Sequence, residues 1–564
     1  MSNYYNSSRK LHFSQLELEP VVRDLEHEFK SKGADSLGSM EEALTWYDML
    51  LNNAGEIAGE FIAPRAEAVD EKGCKLEDGT VSWAQETQEN MDMLAQSGYM
   101  GAMLERRFGG LAMPVSVNNI IVEMISQADA SLMNLYGLQD IAVTLQKFGT
   151  EEQKQRVLPK FAKGEVSGAM ALTEPDAGSD LQAVSLKAIE KDGKWYLDGV
   201  KRFITNGSGD VLLVLARSEA GTTSGRGLSM FLCEKSPEIV VRRIENKLGI
   251  HGSPTCELQF NMAPAELVGK RKFGLIKYVM SLMNGARLAV SAQALGIAQA
   301  AFEEAVEYAN EREQFGKRIV EIPAVYQMLK SMQAEIETSR ALLYQTGLAV
   351  DMMEIYERKA KAGEKVKTEL RAATALADFL TPLSKFTISE LANRAAYDSL
   401  QIHGGVGYMK DFKVERLLRD ARITNIYEGT TQLQVVAAIG ALVKGLFEKE
   451  MEEVRSMELT SLKKEQKEVI SLLDKTLSAI ASVHEMESLE FHDYTATYLV
   501  EMASILYRLK LYLPIAEQNP DKRNILKFFL MESDARIRYL ENRIFHLKEQ
   551  YGENIDRLKD DFLK

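Results

Sequence analysis

The feature that most limits how this chain can fold is a hydrophobic period that changes twice along its length. From residue 41 to about 165, apolar side chains recur three and four apart, as in "SMEEALTWYDMLLNNAGEIAGEFIAP", the spacing of helices with one buried face. Near residue 170 the pattern turns alternating. "LKAIEKDGKWYLDGVKRFI" holds Asp192-Gly193 and Asp198-Gly199, two dipeptides suited to hairpin turns, and "VLLVLARS", "LSMFLCEK", "IVVRRIE" and "TCELQFNM" follow as short strands. After Phe273 the helical period returns. No proline lies between Pro382 and Pro514 and no glycine between Gly445 and Gly552, so long stretches lack one or the other of the two strongest helix breakers.

With 564 residues the chain exceeds what one hydrophobic core serves. The changes of period divide it into an N-terminal arm over 1–40, a helical domain over 41–165, a β-domain over 166–272, a second helical domain over 273–445 and a highly charged helical extension over 446–564. One short helix is expected in the arm, within "LELEPVVRDLEHEFKS". Ser39 and Glu42 stand in capping-box spacing, and "GTEEQKQRVLPKFAKGE" starts a helix at its Gly-Thr pair. The extension is expected to bundle against the body or a partner subunit. Its interleaved acids and bases make a membrane-surface helix the weaker reading.

The net charge of −14 offers no basic surface for a polyanion and speaks against nucleic-acid binding. Cys74, Cys233 and Cys256 lie far apart without a CxxC pair, which fits a reducing compartment. The first residues, "MSNYYNSSRKLHFSQLELEP", have no apolar core of a signal peptide, and no apolar run approaches a membrane span, so a cytoplasmic protein is expected. Seven histidines are scattered without HExxH spacing, the nearest pair being His484 and His492, and no metal is expected.

Three stretches carry chemistry. In "MALTEPDAGSDL" the small residues Ala177, Gly178 and Ser179 let backbone N–H groups approach an anion or a ring, and Thr173 and Ser179 add hydroxyls; an acidic capped turn reads equally well. In "YANEREQFGKRI", Arg312, on a helix ending at Gly316, suits a phosphate and Phe315 a flat ring, although an arginine between Glu311 and Glu313 also suits a solvated face. In "QIHGGVGYMKDFKVERLLRDARITNIYEGTTQLQ", Gly404, Gly405 and Gly407 follow a helix, as C-cap glycines also do, and Glu428 sits between Tyr427 and Gly429. That glutamate is either a base or an N-terminal helix residue favoured by the macrodipole.

Taken in this order, the three stretches resemble the acyl-CoA dehydrogenase family of flavoproteins. The resemblance spans roughly residues 41–445 and rests on "LTEPDAGSD" and "REQFGKRI", with "FGTEEQKQRVLPKFAKGE", "RFITNG" and "KLGIHGSPTCEL" in agreement. "KLGIHGSPTCEL" and "MNGARLAV", together with the extension, look most like the larger bacterial branch typified by methylmercaptopropionyl-CoA dehydrogenase; very-long-chain enzymes are extended at this end too. The implied fold is α+β and multidomain: an N-terminal helical domain, a middle β-barrel and a C-terminal four-helix bundle, plus the additional C-terminal helical extension.

The resemblance implies FAD as cofactor and the oxidation of an acyl-CoA thioester to the trans-2-enoyl thioester, as in fatty-acid β-oxidation, with electrons passed to electron-transfer flavoprotein. An acyl-CoA oxidase using oxygen, or an assembly protein that keeps the fold, are the alternatives. Leu172 and Thr173 would meet the flavin ring, with Met170 nearby, where many relatives differ. Gly178 and Ser179 would lie by the flavin phosphates, Ser179 also by the thioester, and Phe203, Ile204 and Thr205 would back the ring. Arg312, Phe315, Gln401, Gly404 and Gly405 match residues that reach the FAD of a neighbouring subunit, and Thr430 and Gln432 lie on the adenosine diphosphate side. Pro323 stands where relatives often carry glutamine. Glu428 aligns with the catalytic base; some members carry the base instead just before the arginine of "MNGARLAV", and here that position is Ala286. Tyr427 and Gly429 would border the thioester, and Asn284 and Arg287 would lie on the CoA side. A homodimer is expected over a tetramer, because added helices cover the bundle surface.

Overall fold

A computed structural model describes residues 2–29, 37–560 and 562–563. The helices that carry the architecture are, in chain order, α1 (Ser7–Ser14), α2 (Met40–Glu56), α3 (Val115–Ala128), α4 (Glu151–Ala162), α5 (Met280–Glu311), α6 (Pro323–Lys361), α7 (Lys367–His403), α8 (Val414–Thr424), α9 (Thr431–Val443), α10 (Lys463–His484), α11 (Leu489–Gln518) and α12 (Arg523–Gln550). The chain forms two compact units. The first comprises Met1–Asn6, Glu19–Ile297 and Arg416–Ile423, and the second Ser7–Leu18, Ala298–Glu415 and Thr424–Lys564.

In the first unit, Ser39 caps α2 by accepting from the Glu42 N–H at 3.1 Å, while the Glu42 carboxylate takes the Gly38 N–H rather than that of Ser39. Thr150 and Gln153 complete a full capping box on α4. Helix α3 is buried almost throughout, polar Asn118, Asn119 and Glu123 included.

The alternating segment forms one sheet from β1 (Gly168–Ala171), β2 (Lys187–Lys191), β3 (Lys194–Thr205), β4 (Val211–Arg217), β5 (Leu228–Glu234), β6 (Ile239–Ile244) and β7 (Thr255–Val268). The order is β1-β4-β2-β3-β7-β5, and β4 also pairs with β5, so the sheet closes on itself; β6 pairs with β7. Closure leaves few open edges and a core of Leu197, Leu212, Val214, Phe231, Leu258 and Phe260. Asp192-Gly193 is the turn between β2 and β3, with φ +51° and +73°. The expectation of a second turn at Asp198-Gly199 fails. Those residues lie inside β3, and Gly199, at φ +139°, marks a bulge against β7 where a Cβ would press to 3.3 Å from Leu186.

In the second unit, α6 and α7 pair as long helices, and α7 and α11 tolerate internal prolines at Pro382 and Pro514. Leu342, Leu383, Phe447, Leu472, Leu506 and Ile537 belong to one hydrophobic core, so the extension continues the bundle rather than hanging from it. The arm holds more structure than its polarity suggests. Helix α1 buries Arg9, His12 and Phe13, and a further helix spans Glu19–Leu25; the end of the expected arm helix lies outside the described residues. Among the described residues, no helix is long and apolar enough to cross a membrane.

Candidate active site

In the first unit, β1 delivers Met170 to a parallel pairing with Leu213 of β4 and ends at the "LTEP" turn. Leu172 is buried, Thr173 half-buried, and Gly178 and Ser179 exposed. The turn is pinned from behind by a side chain that was not singled out in the sequence. Lys201, on β3 and without solvent exposure, donates to the Leu172 carbonyl oxygen at 2.7 Å and to Glu174 Oε1 at 2.9 Å. Glu174 also accepts from the backbone N–H groups of Ser185 and Leu186. Burial lowers the Lys201 ammonium to about 8 in spite of Glu174. The same burial would raise the Glu174 carboxyl, but the neighbouring ammonium and the donated hydrogen bonds hold it below its ordinary value.

Immediately after Lys201 the β3–β7 register shifts, and Phe203 takes φ +61°. A bulge with a non-glycine residue in the left-handed region re-aims a side chain, and the Phe203 ring stands 52% exposed beside Arg202 while Ile204 stays buried. The Arg202 N–H donates to the Thr173 carbonyl oxygen at 2.9 Å, so the "LTEP" turn and the "RFIT" bulge are one bracket. Beyond Ser179 a cleft of about 790 Å³ opens, lined by Asp180, Gln182, Lys187, Arg217 and Thr222 among others. On α5, Arg287 is buried and donates to the Asn284 side-chain oxygen at 3.3 Å.

In the second unit, Glu428 is half-buried in the loop between α8 and α9. It takes φ +54°, and Gly429 follows at +93°. A glutamate in the left-handed region costs on the order of 1–2 kcal/mol, a strain that persists only where the surroundings over-determine it. Those surroundings are visible. Lys385 of α7, fully buried, donates to the carbonyl oxygens of Gly429 at 2.7 Å and Thr424 at 3.1 Å. Gln434 of α9 donates to the carbonyl oxygens of Gly429 at 2.9 Å and Glu428 at 3.2 Å. Glu390 of α7 accepts from the Asn425 amide at 3.0 Å and from the Thr431 hydroxyl. Tyr427 is half-buried beside Glu428, and Thr430 is the N-cap residue of α9, its hydroxyl making no capping bond; Gln432 is exposed one position into the helix.

The expectation that Arg312 rides a helix ending at Gly316 is corrected. Helix α5 stops at Glu311, and residues 313–318 form a small hairpin whose tip is Phe315-Gly316 at φ +55° and +74°. Backbone pairing of Glu313 with Arg318 competes successfully with helix propagation there, and Phe315 is left 92% exposed. Gln401, Gly404 and Gly405 lie together at the exposed end of α7. Gly404 takes φ +65°, and no atom lies within 4 Å of where a Cβ would stand on either glycine.

The residues present suit FAD. Each unit offers slim backbone, at Gly178 beside the Thr173 methyl in one and at Gly404 and Gly405 with open space in the other, together with an exposed aromatic ring, Phe203 or Phe315. The start of α9, where the Thr430 side chain makes no capping bond, adds a helix N-terminus of the kind that holds phosphates. Comparison with known proteins decides the family. The N-terminal, middle and C-terminal domain models of acyl-CoA dehydrogenase match residues 47–165, 169–263 and 276–440.

The chain belongs to the acyl-CoA dehydrogenase family.

It is thus an oxidoreductase of that class, with FAD as cofactor. It is 36% identical to an acyl-CoA dehydrogenase of Bacillus subtilis over 347 residues, covering 60% of this chain and 86% of that one. It is 34% identical to 3-methylmercaptopropionyl-CoA dehydrogenase of Ruegeria pomeroyi over 424 residues, 70% of each protein. In structure, an acyl-CoA dehydrogenase of Bacillus anthracis complexed with FAD matches with a TM-score of 0.76 over 92% of this chain and 90% of its own; at 23% identity that likeness speaks for the fold, extension included.

Lys201, Glu174, Lys385, Glu390 and Gln434 are the residues of these sites that sequence reasoning passed over. A signal existed for both lysines. Lys201 falls on the inward phase of β3 set by Leu197, and Lys385 is the one charged residue between Asp378 and Glu390, where a solvated helix face would carry several.

Proposed function

We propose that this acyl-CoA dehydrogenase uses Glu428 as the base that removes the α-proton of the acyl-CoA thioester, giving the trans-2-enoyl thioester, and passes its electrons to electron-transfer flavoprotein. The observation that carries the reading is Glu428 itself, a half-buried residue held at φ +54° beside a glycine, where a capping glutamate would have no need of strain. Proton removal next to a thioester calls for a positioned base and a donor to the carbonyl oxygen on which charge develops. Glu428 supplies the first; slim backbone at Gly429 lets main-chain N–H groups of the loop supply the second. Tyr427 borders the thioester in this reading. FAD, when bound, supplies the acceptor for the β-hydride.

Leu172, Thr173, Phe203 and Thr205 hold the flavin ring in this reading, and Thr430, Gln432 and the Arg312–Phe315 hairpin serve its diphosphate and adenosine side. Ser179 lies by the thioester and Asn284 and Arg287 on the CoA side in this reading. The extension packs onto the bundle and covers surface that a tetramer would need, so a homodimer is part of this reading. The test is Glu428→Gln: it keeps its FAD and binds acyl-CoA, and loses nearly all exchange of the substrate α-proton with solvent. Exchange at the wild-type rate would remove Glu428 from the mechanism.

A further inference from the structure

We propose that Lys385 is the positioning residue of the catalytic base: from inside the bundle it holds the two ends of the Thr424–Gly429 turn and, with Gln434, keeps Glu428 in its left-handed conformation. The inference rests on the reading of Glu428 as the base and goes beyond it by assigning the base its support.

The geometry is specific. The Lys385 ammonium reaches one carbonyl before the turn, Thr424, and one after it, Gly429, so a single cation spans the loop that carries the base. Hydrogen bonds from a charged donor to a carbonyl are the stronger kind, and burial keeps water from replacing them. Gln434 bonds the same Gly429 oxygen and the Glu428 oxygen, fixing the two peptide planes that follow the base. Glu390 ties Asn425 to Thr431 and closes the turn sideways. Three side chains on two helices thus set the backbone torsions from which the Glu428 side chain starts. A helix-borne lysine with no such task would be solvated, and this one is not.

A base misplaced by about an ångström loses on the order of 100-fold in rate, which is the scale expected here. The experiment uses the full-length holoenzyme with Lys385→Met, Lys385→Arg and Gln434→Ala. Flavin content, affinity for a series of 3-thia-acyl-CoA thioesters of short to long chain, and exchange of their α-proton with deuterated water are measured. These analogues have sulfur at the β-position and no hydride to give, so exchange reports the proton step alone. Lys385→Met is expected to keep FAD and bind the analogues within about 3-fold of wild type while exchange falls about 100-fold, and Lys385→Arg to restore part of it. Gln434→Ala, losing the second pair of donors, is expected to fall about 10-fold.

Exchange at the wild-type rate in flavin-replete Lys385→Met would overturn the proposal, as would an exchange loss that only follows flavin loss. If Lys385→Met does not accumulate as folded protein, Gln434→Ala and Lys385→Arg decide in the same terms. Glu428→Gln, run alongside, separates the two readings. If it exchanges freely, the base is misassigned; if it is dead while Lys385→Met is normal, the base stands and the clamp falls.

Discussion

Lys201 and Glu174 form an ion pair 2.9 Å long whose side chains are almost wholly removed from solvent, directly behind the turn that carries Leu172 and Thr173. Removing one partner of such a pair leaves a buried charge alone and typically costs about 3–5 kcal/mol. Lys201→Met is therefore expected to lower stability by that order and to weaken FAD retention. Adding Glu174→Gln to it should recover part of the stability, because the stranded carboxylate is gone. Urea unfolding of the two variants, with flavin absorbance of the purified proteins, checks both statements.

Gly429 at φ +93° has a conformation that costs an L-residue on the order of 1–2 kcal/mol. Gly429→Ala is expected to fold with a reduced unfolding temperature and to lose kcat more than KM rises, since the strain is relieved by moving the Glu428–Gly429 peptide. Steady-state kinetics beside a thermal melt give the comparison.

Burial raises the Asp420 carboxyl to about 6; the Ile250 N–H and Arg416 oppose that rise, and Asp70 and Asp129 add to it. Its folded value thus lies above the unfolded one of 3.8, so the folded chain holds the extra proton between roughly pH 4 and 6 and stability is lost as pH rises through that window. Asp420→Asn keeps an oxygen for the Ile250 N–H and removes the titration. Relative to wild type it should gain on the order of 3 kcal/mol between pH 4 and pH 7, read from unfolding curves at each pH.

The opposite sign holds at Glu337. Burial pushes its carboxyl up, but the neighbouring His12, Arg340 and Lys522 and a hydrogen bond from Lys522 bring it down to about 2. That contribution is present above the unfolded value of 4.5 and fades as pH falls toward 2. Glu337→Gln is expected to cost on the order of 3 kcal/mol at pH 7 and to flatten the acid limb of the stability profile. Chemical denaturation between pH 3 and 7 measures it.

What was legible in the sequence was whatever repeats or stays local. The change of period marks where the sheet begins and ends, Asp192-Gly193 is the turn it promises, and Thr150 with Gln153 is a capping box. Asp198-Gly199 misled because a dipeptide suited to a turn suits a bulge equally, and only pairing with β7 decides between them. The hairpin after Glu311 was hidden for the same reason. Glu428 could be singled out by resemblance, but its support could not: Lys385 lies 44 residues from Gly429, and no spacing rule joins a helix lysine to a distant carbonyl. The buried polar side chains of α3 were equally illegible, since they interrupt the very pattern by which a buried helix is recognised.

Glu337 collects its partners from opposite ends of the chain: the Ser8 hydroxyl of α1 and, 185 residues downstream, Lys522, with Tyr512 of α11 between them. During synthesis, Ser8 is available long before α6 exists, whereas the lysine follows only after nearly all of the bundle has been made. Until then that ion pair is missing, and a chain halted before residue 522 is expected to have a less stable second unit than the full chain.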